Sequence, residues 1–198
     1  MGLFDFLKPK TNVKGERLYT NIQPTTPLPS FKYLRDSRVA FEPNYDKERC
    51  ECCEKIPDRI YKNGIYAVEE VENLCAECII SGEAAKKFNG TFNEADNPAV
   101  DDLSAKEELE KRTPTLNTWQ EIEWVACCKD FCQFVKFMTE EDFKDADLLK
   151  SLKETYDEEE EGIPFRKLQS VCQKSEDTNF LLFQCPTCKK YYVKVDLD

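Results

Sequence analysis

Cys50-Glu-Cys-Cys53 and Cys75-Ala-Glu-Cys78, with residues 54–74 between them, are the stretch on which the fold turns. Two residues between thiols let a tight turn aim both sulfurs at one ion about 2.3 Å away, and two such turns complete a tetrahedron. The gap is close to the roughly 15–20 residues of familiar four-cysteine zinc spacings. Inside it, Ile60-Tyr-Lys-Asn-Gly-Ile-Tyr-Ala-Val68 has aromatic and β-branched arms around Asn63-Gly64, the pair preferred by type I′ hairpin turns. Ser81–Asn89 then reads as a helix, with Glu83 early and Lys86 and Lys87 late, matching the helix dipole. Knuckle, hairpin and helix start, in that order, predict a treble-clef-like lobe. Its helix turns a positive end toward the thiolates and lowers their pKa. Four thiolates fill a zinc ion's coordination, so a structural ion is expected rather than a catalytic one with bound water. Two other readings are buried reduced cysteines and a redox dithiol. The latter usually sits on a thioredoxin-like βαβ unit, a pattern not visible here. Cys52 reads as a bystander that could replace a neighbour.

Working outward, Cys185-Pro-Thr-Cys188 is a third knuckle, set between two strand-like runs, Phe180–Gln184 and Tyr191–Asp198, as in a zinc ribbon. Its partners are sought among Cys127, Cys128 and Cys132. Thr118-x-x-Glu121 has the form of a capping box, opening a helix that carries Trp119 and Ile122 and reaches Cys127. On a continuing helix Cys128 and Cys132 share a face. The expected second site is therefore Cys128, Cys132, Cys185 and Cys188, with Cys127 as the alternate. The remaining cysteine, Cys172, reads as a small hydrophobe.

The rest of the chain is read more coarsely. Residues 1–29 form a polar tail rich in proline, beginning with the short amphipathic piece Gly2–Lys8, in which Phe6 breaks the myristoylation pattern. Phe31-Lys-Tyr-Leu34 reads as a first strand. Asn97-Pro98 opens a helix that runs to Arg112 and stops at Thr113-Pro114. Thr139-x-x-Asp142 caps a helix with Phe143, Ala146, Leu149 and Leu152 at helical spacing. Asp157–Glu161 reads as a solvated acidic loop. The expected class is α+β: a treble-clef-like lobe with its following helix over 30–112, then a helical and zinc-ribbon-like lobe over 113–198 packed on the first. Of the two tryptophans, Trp119 and Trp124, one is expected in the core and the other at its rim.

Several of these motifs, taken together, resemble the CbrC family, bacterial proteins named for tolerance to a colicin. They are Phe31-Lys-Tyr33, Cys50-x-x-Cys53, Arg59-Ile-Tyr-Lys-Asn-Gly-Ile-Tyr66, Leu74–Phe88, Arg112-Thr-Pro114, Trp119-Gln120, Trp124, Cys128-x-Asp130 and Phe183-Gln-Cys185-x-x-Cys188. The likeness runs from about Pro29 to Asp198. Three departures stand out: Glu54 where the family's first knuckle has Gly, Ala76-Glu77 where its second pair has Pro-Trp, and Cys127 where relatives often have His. The last makes position 127 an alternate thiolate ligand. The resemblance implies a bacterial cytoplasmic protein and brings no catalytic activity with it.

Composition excludes much. The formal net charge is −11 and the pI about 4.7, which argues against nucleic acid and against anionic membrane surfaces as partners. With 0 histidines, Ser-His-Asp and Cys-His catalysis and His-ligated zinc are impossible. No apolar run reaches the length of a membrane span and no signal peptide is visible, so a reducing cytoplasm is expected, where clustered cysteines read as metal sites. The leading function is a non-enzymatic, zinc-stabilised protein whose acidic surface captures a basic protein partner. The alternatives are an enzyme using carboxylates or a thiol between the lobes, and a redox- or zinc-responsive switch.

Overall fold

The computed structural model describes residues 26–174 and 178–197. The amphipathic piece at Gly2–Lys8, and the tail up to residue 25, lie outside the described residues. The fold is mixed α+β, with small antiparallel sheets and short helices.

The chain enters along Tyr33–Arg35. This stretch makes a single parallel bridge, Leu34 to Phe134, rather than a full strand. Strand β1 (Glu42–Pro43) pairs with β2 (Arg59–Ile60), and the first knuckle lies between them. The Asn63-Gly64 turn does not form as expected. Type I′ needs positive φ at both central residues, and only Gly64 has it (φ 75°). The hairpin is wider: Tyr61 pairs with Leu74 through N–H···O bonds of 2.9 and 3.1 Å, so residues 62–73 make its loop. This wider closure carries Cys75 back to the knuckle.

The expected helix over 81–89 forms as α2 (Glu83–Phe88), and a separate short helix, α1 (Ala76–Ile80), precedes it at the second cysteine pair. The two are separated at Gly82, whose φ of 77° suits glycine. Helix α3 (Leu103–Arg112) starts later than Pro98 predicted, because Asp102 supplies the N-cap by accepting from the Ser104 N–H. Residues 97–100 instead curl around Asn97. Ala105 and Leu109, one turn apart, are the buried face of α3, and buried Asn93 donates to the last carbonyls, Leu109 O and Thr113 O.

No helix forms over 118–127. The amides that a first turn would leave free, Trp119 N and Gln120 N, donate to the carboxylate of buried Asp196, both at 3.0 Å. The Thr118 hydroxyl donates to Gln120 O instead of capping. The chain runs extended through Ile122, Trp124 and Val125, residues that suit a pleated surface. It then makes a tight hairpin, β3 (Ala126–Cys127) with β4 (Asp130–Phe131).

Next comes the main sheet, ordered β5 (Gln133–Phe137), β6 (Thr178–Gln184), β7 (Tyr191–Leu197), all antiparallel. Between β5 and β6 lie α4 (Ala146–Lys153), capped by Asp145, α5 (Glu158–Glu161), capped by Asp157, and α6 (Leu168–Lys174). The acidic run is thus a capped helical turn rather than a loop. Thr139 and Asp142 form one half of the expected cap, the Asp142 carboxylate accepting from the Thr139 N–H and hydroxyl, but the regular helix starts later, where Asp145 caps α4.

The sheet has a buried core on each face. Side chains along β6 alternate sides, as strand geometry requires. Leu181 and Phe183 join the larger core, with Phe31, Tyr33, Phe41, Tyr61, Phe92, Trp124 and Phe134. Phe180 and Leu182 join the smaller, with Met138, Phe143, Leu152, Leu168 and Val193. A bulge in β5 between Phe134 and Lys136 offsets the alternation, so Phe134 and Phe137 both face the larger core. Within that core, rings run in a chain of contacts, Phe31–Phe41–Tyr61–Phe92, with centroids 5.7–5.9 Å apart.

Candidate metal centres

The structure brings Cys50, Cys53, Cys75 and Cys78 together, with all four sulfurs within 4.8 Å of one another. Cys53 Sγ and Cys75 Sγ are 3.7 Å apart. Four sulfurs about 2.3 Å from one ion would stand about 3.8 Å apart at the corners of a tetrahedron. The pocket is therefore sized for a single ion and is too wide for S–S bonding. The knuckle is built by backbone: Glu54 N donates to Cys50 O (2.7 Å) and Cys50 N to Lys55 O (2.8 Å). Closing it puts Glu54 in the left-handed region, at φ 63°. The carboxylate of Glu51 accepts from Glu72 N and Asn73 N, clamping the knuckle to the returning hairpin arm. Lys87 on α2 donates to the Glu51 and Cys52 carbonyls. Cys75 is the N-cap of α1, and its N–H donates to Cys50 Sγ (3.2 Å).

Those donors set the protonation pattern. A hydrogen bond from the Cys75 thiol, with backbone N–H groups of Cys53, Cys75 and Cys52, draws Cys50 down to about 4 against burial. The thiol of Cys75 is pushed up, first by its bond to Cys50 and then by burial, and burial raises Cys78. Cys50 is thus drawn toward the thiolate, and Cys75 and Cys78 toward the neutral thiol. A divalent cation at their centre lets all four ionise.

A second set gathers Cys127, Cys128, Cys185 and Cys188, again within 4.8 Å of one another. Cys127 Sγ lies 3.6 Å from both Cys128 Sγ and Cys188 Sγ, the same tetrahedral edge. Its Cys185–Cys188 knuckle repeats the first in detail: Lys189 N donates to Cys185 O and Cys185 N to Lys190 O, with Lys189 at φ 64°. The other two ligands come from the β3–β4 turn, where Cys128 and Lys129 both have positive φ (55° and 65°). Neither residue favours that backbone. Burial works against ionisation at Cys185, but N–H groups of Cys188 and Thr187 bring it down to about 7. Cys128 is pushed up to about 12 by its thiol neighbours, Cys127 first.

This corrects the ligand set expected from a helix. With a hairpin in place of the helix, Cys128 and Cys132 no longer share a face. Cys132 is fully buried behind the cluster, its N–H bonded to Val125 O and its carbonyl accepting from Trp124 Nε1 (2.8 Å). Cys127, the alternate, takes its place. Sequence reading missed Tyr192, whose hydroxyl donates to Cys127 Sγ at 3.0 Å. Its signal was alternation along β7, which gives Tyr192 and Val193 opposite faces. Cys52 stays outside the first set and Cys172 packs against the smaller core.

No described helix is long and apolar enough to cross a membrane. The model of a family described as an uncharacterised protein family, UPF0167, matches residues 28–197. The chain is 32% identical over 113 residues to a UPF0167 protein of Pseudomonas aeruginosa, covering 54% of this chain and 63% of the relative. It is 34% identical over 111 residues to one of Mycobacterium bovis, covering 54% of this chain and 59% of the relative. The chain thus spans under two thirds of the length of these relatives. No solved structure matches it.

Proposed function

The chain belongs to the UPF0167 family, and from that premise and its two thiol clusters we propose that it is a zinc-stabilised, non-enzymatic cytoplasmic protein whose acidic surface captures a basic protein partner. The observation that carries this is the closure of both clusters: four sulfurs within 4.8 Å of one another would fill the coordination of a single ion and leave no position for water or substrate. Such ions hold a fold together. A tetrahedral four-sulfur set suits zinc or iron, and the edges suit one ion rather than a multi-iron cluster spread over several metals. We read the first site as treble-clef-like, with knuckle, wide hairpin and helix start, and the second as ribbon-like, with its knuckle at the β6–β7 turn.

With 0 histidines and a net charge of −11, long-range attraction of a cationic protein is the binding mode this surface favours. Capture of a basic toxin would be one form of it, in keeping with the resemblance to the CbrC family. Native mass spectrometry of the purified chain, before and after a strong chelator, tests the metal: two zinc ions and loss of cooperative melting on chelation are expected. A metal-free chain that still melts cooperatively would end the reading. Salt-dependent capture from a bacterial lysate tests the partner, and capture insensitive to salt counts against it.

A further inference from the structure

A cleft of about 260 Å³ opens beside the larger core, away from both thiol clusters. Its walls include Tyr66 and Trp119, which are 55% and 53% exposed, and its floor is buried Phe92, Leu116 and Trp124. Glu94 and Glu121 stand at its rim, and none of its lining residues is lysine or arginine. Both carboxylates are near enough to act on Tyr66: after burial, Glu121 and Glu94 are what raise its hydroxyl's pKa.

Trp119 is held in place by the backbone on either side of its ring. Its own N–H and that of Gln120 donate to Asp196, which is 3% exposed and also accepts from Asn179 Nδ2 (2.8 Å). The Gln120 side chain donates to Leu197 O. The loop bearing Trp119 is therefore clamped to β7, so little ordering remains for a ligand to impose.

Two π faces beside two carboxylates, with no lysine or arginine among the described lining residues, form a receptor for positive charge. The volume is below the roughly 300–1,000 Å³ of sites for drug-sized ligands, so it suits one side chain rather than a nucleotide. A phosphate would meet only negative charge. The geometry points to this cleft as the seat of an arginine side chain on an extended segment of a basic protein partner, its guanidinium plane against Trp119 and Tyr66 and its charge facing Glu94 and Glu121. Guanidinium is favoured over ammonium because it is planar, weakly hydrated and stacks on rings. The inference rests on the basic-partner reading above and names where that partner would be gripped.

The probe is an acetylated, amidated tetra-arginine peptide titrated into the metal-loaded chain, with tetra-citrulline as the uncharged isostere and tryptophan emission as readout. Saturable quenching by the arginine peptide, weakened by salt and absent with citrulline, is expected. Trp119→Ala, followed by amide chemical shifts, and Glu94→Gln with Glu121→Gln should each weaken binding about tenfold or more. Melting midpoint and metal content, measured on the same samples, should stay unchanged. No saturation, equal binding of citrulline, or unchanged affinity in both variants would overturn the site. Lysate capture with wild type and the double Gln variant separates the two ideas. A salt-sensitive partner retained equally by both chains removes the cleft and leaves the basic-partner reading. Cleft-dependent peptide binding with no salt-sensitive partner for either chain removes that reading and leaves the cation site.

Discussion

The two thiol clusters share one knuckle and differ in almost everything around it. In the first, Cys50, Cys75 and Cys78 are buried and the knuckle is tied down by Glu51 and Lys87. In the second, Cys128 and Cys188 are exposed, and Cys127 and Cys128 come from the short β3–β4 hairpin with its strained turn. The same backbone device thus serves once as a core element and once as a surface clip. The lesson is that the sulfur set decides whether an ion fits, while the surrounding shell decides how tightly and how stably it is kept.

The strongest way to break this comparison is to remove one ligand from each site. Cys75→Ser should cost most of the fold's stability, on the order of the roughly 5–15 kcal/mol of a whole domain, because an ion and a buried polar set are lost together. Cys188→Ser should cost less, about half of that or under, since its site lies at the surface. Denaturant melts with metal counted by mass spectrometry would check both, and equal losses would abolish the distinction. Acid should separate the sites next. A thiol whose folded pKa lies below its ordinary 9.0 contributes stability above that value and loses it as pH falls through the folded one. For Cys185 that fall ends near 7, and for Cys50 near 4. In the metal-free chain the thiolate of the second site should therefore take up its proton at the higher pH, visible as two steps in thiolate absorbance against pH. A single step, or the reverse order, would contradict it.

Smaller effects sharpen the contrast. Tyr192→Phe removes the hydroxyl bonded to Cys127 Sγ. It should weaken metal binding about 10–100-fold at the second site alone, measured by competition with a chromophoric chelator. Smallest of all, Glu54→Gly and Lys189→Gly relieve left-handed backbone at matched positions of the two knuckles. Relief of about 1–2 kcal/mol is partly offset by the greater freedom of glycine in the unfolded chain, leaving a gain of about 0.5–1 kcal/mol in each. Unequal gains would mean the knuckles are less alike than their hydrogen bonds suggest.

What could be read from sequence followed the range of each interaction. Cysteine spacing is local, so the knuckles at Cys50 and Cys185 were visible, as was the β6–β7 pair flanking the latter. The break at Gly82 was equally local and was passed over. What defeated the reading was capture of backbone from far along the chain. Asp196, 77 residues from Trp119, takes the amides that the Thr118-x-x-Glu121 pattern offers to a helix. Without that helix Cys127 replaces Cys132. The Asn63-Gly64 signal failed for a similar reason: Tyr61 pairs with Leu74 and Tyr66 with Thr91, instead of with each other across a two-residue turn. The cleft at Trp119 is a product of that long-range assembly and no local pattern announces it, whereas the face of Tyr192 follows from alternation along β7 and only its contact with Cys127 needs the assembled fold.

β6 hands its side chains alternately to two cores and ends at Cys185. If it paired one residue out of step with β7, Phe180 and Phe183 would exchange sides and Cys185 would point away from its three companions. An ion bound at that corner would thus act as a proofreading step: only a chain whose strands have met in the right frame offers four sulfurs to one metal, so loading would lock in the frame that made it possible.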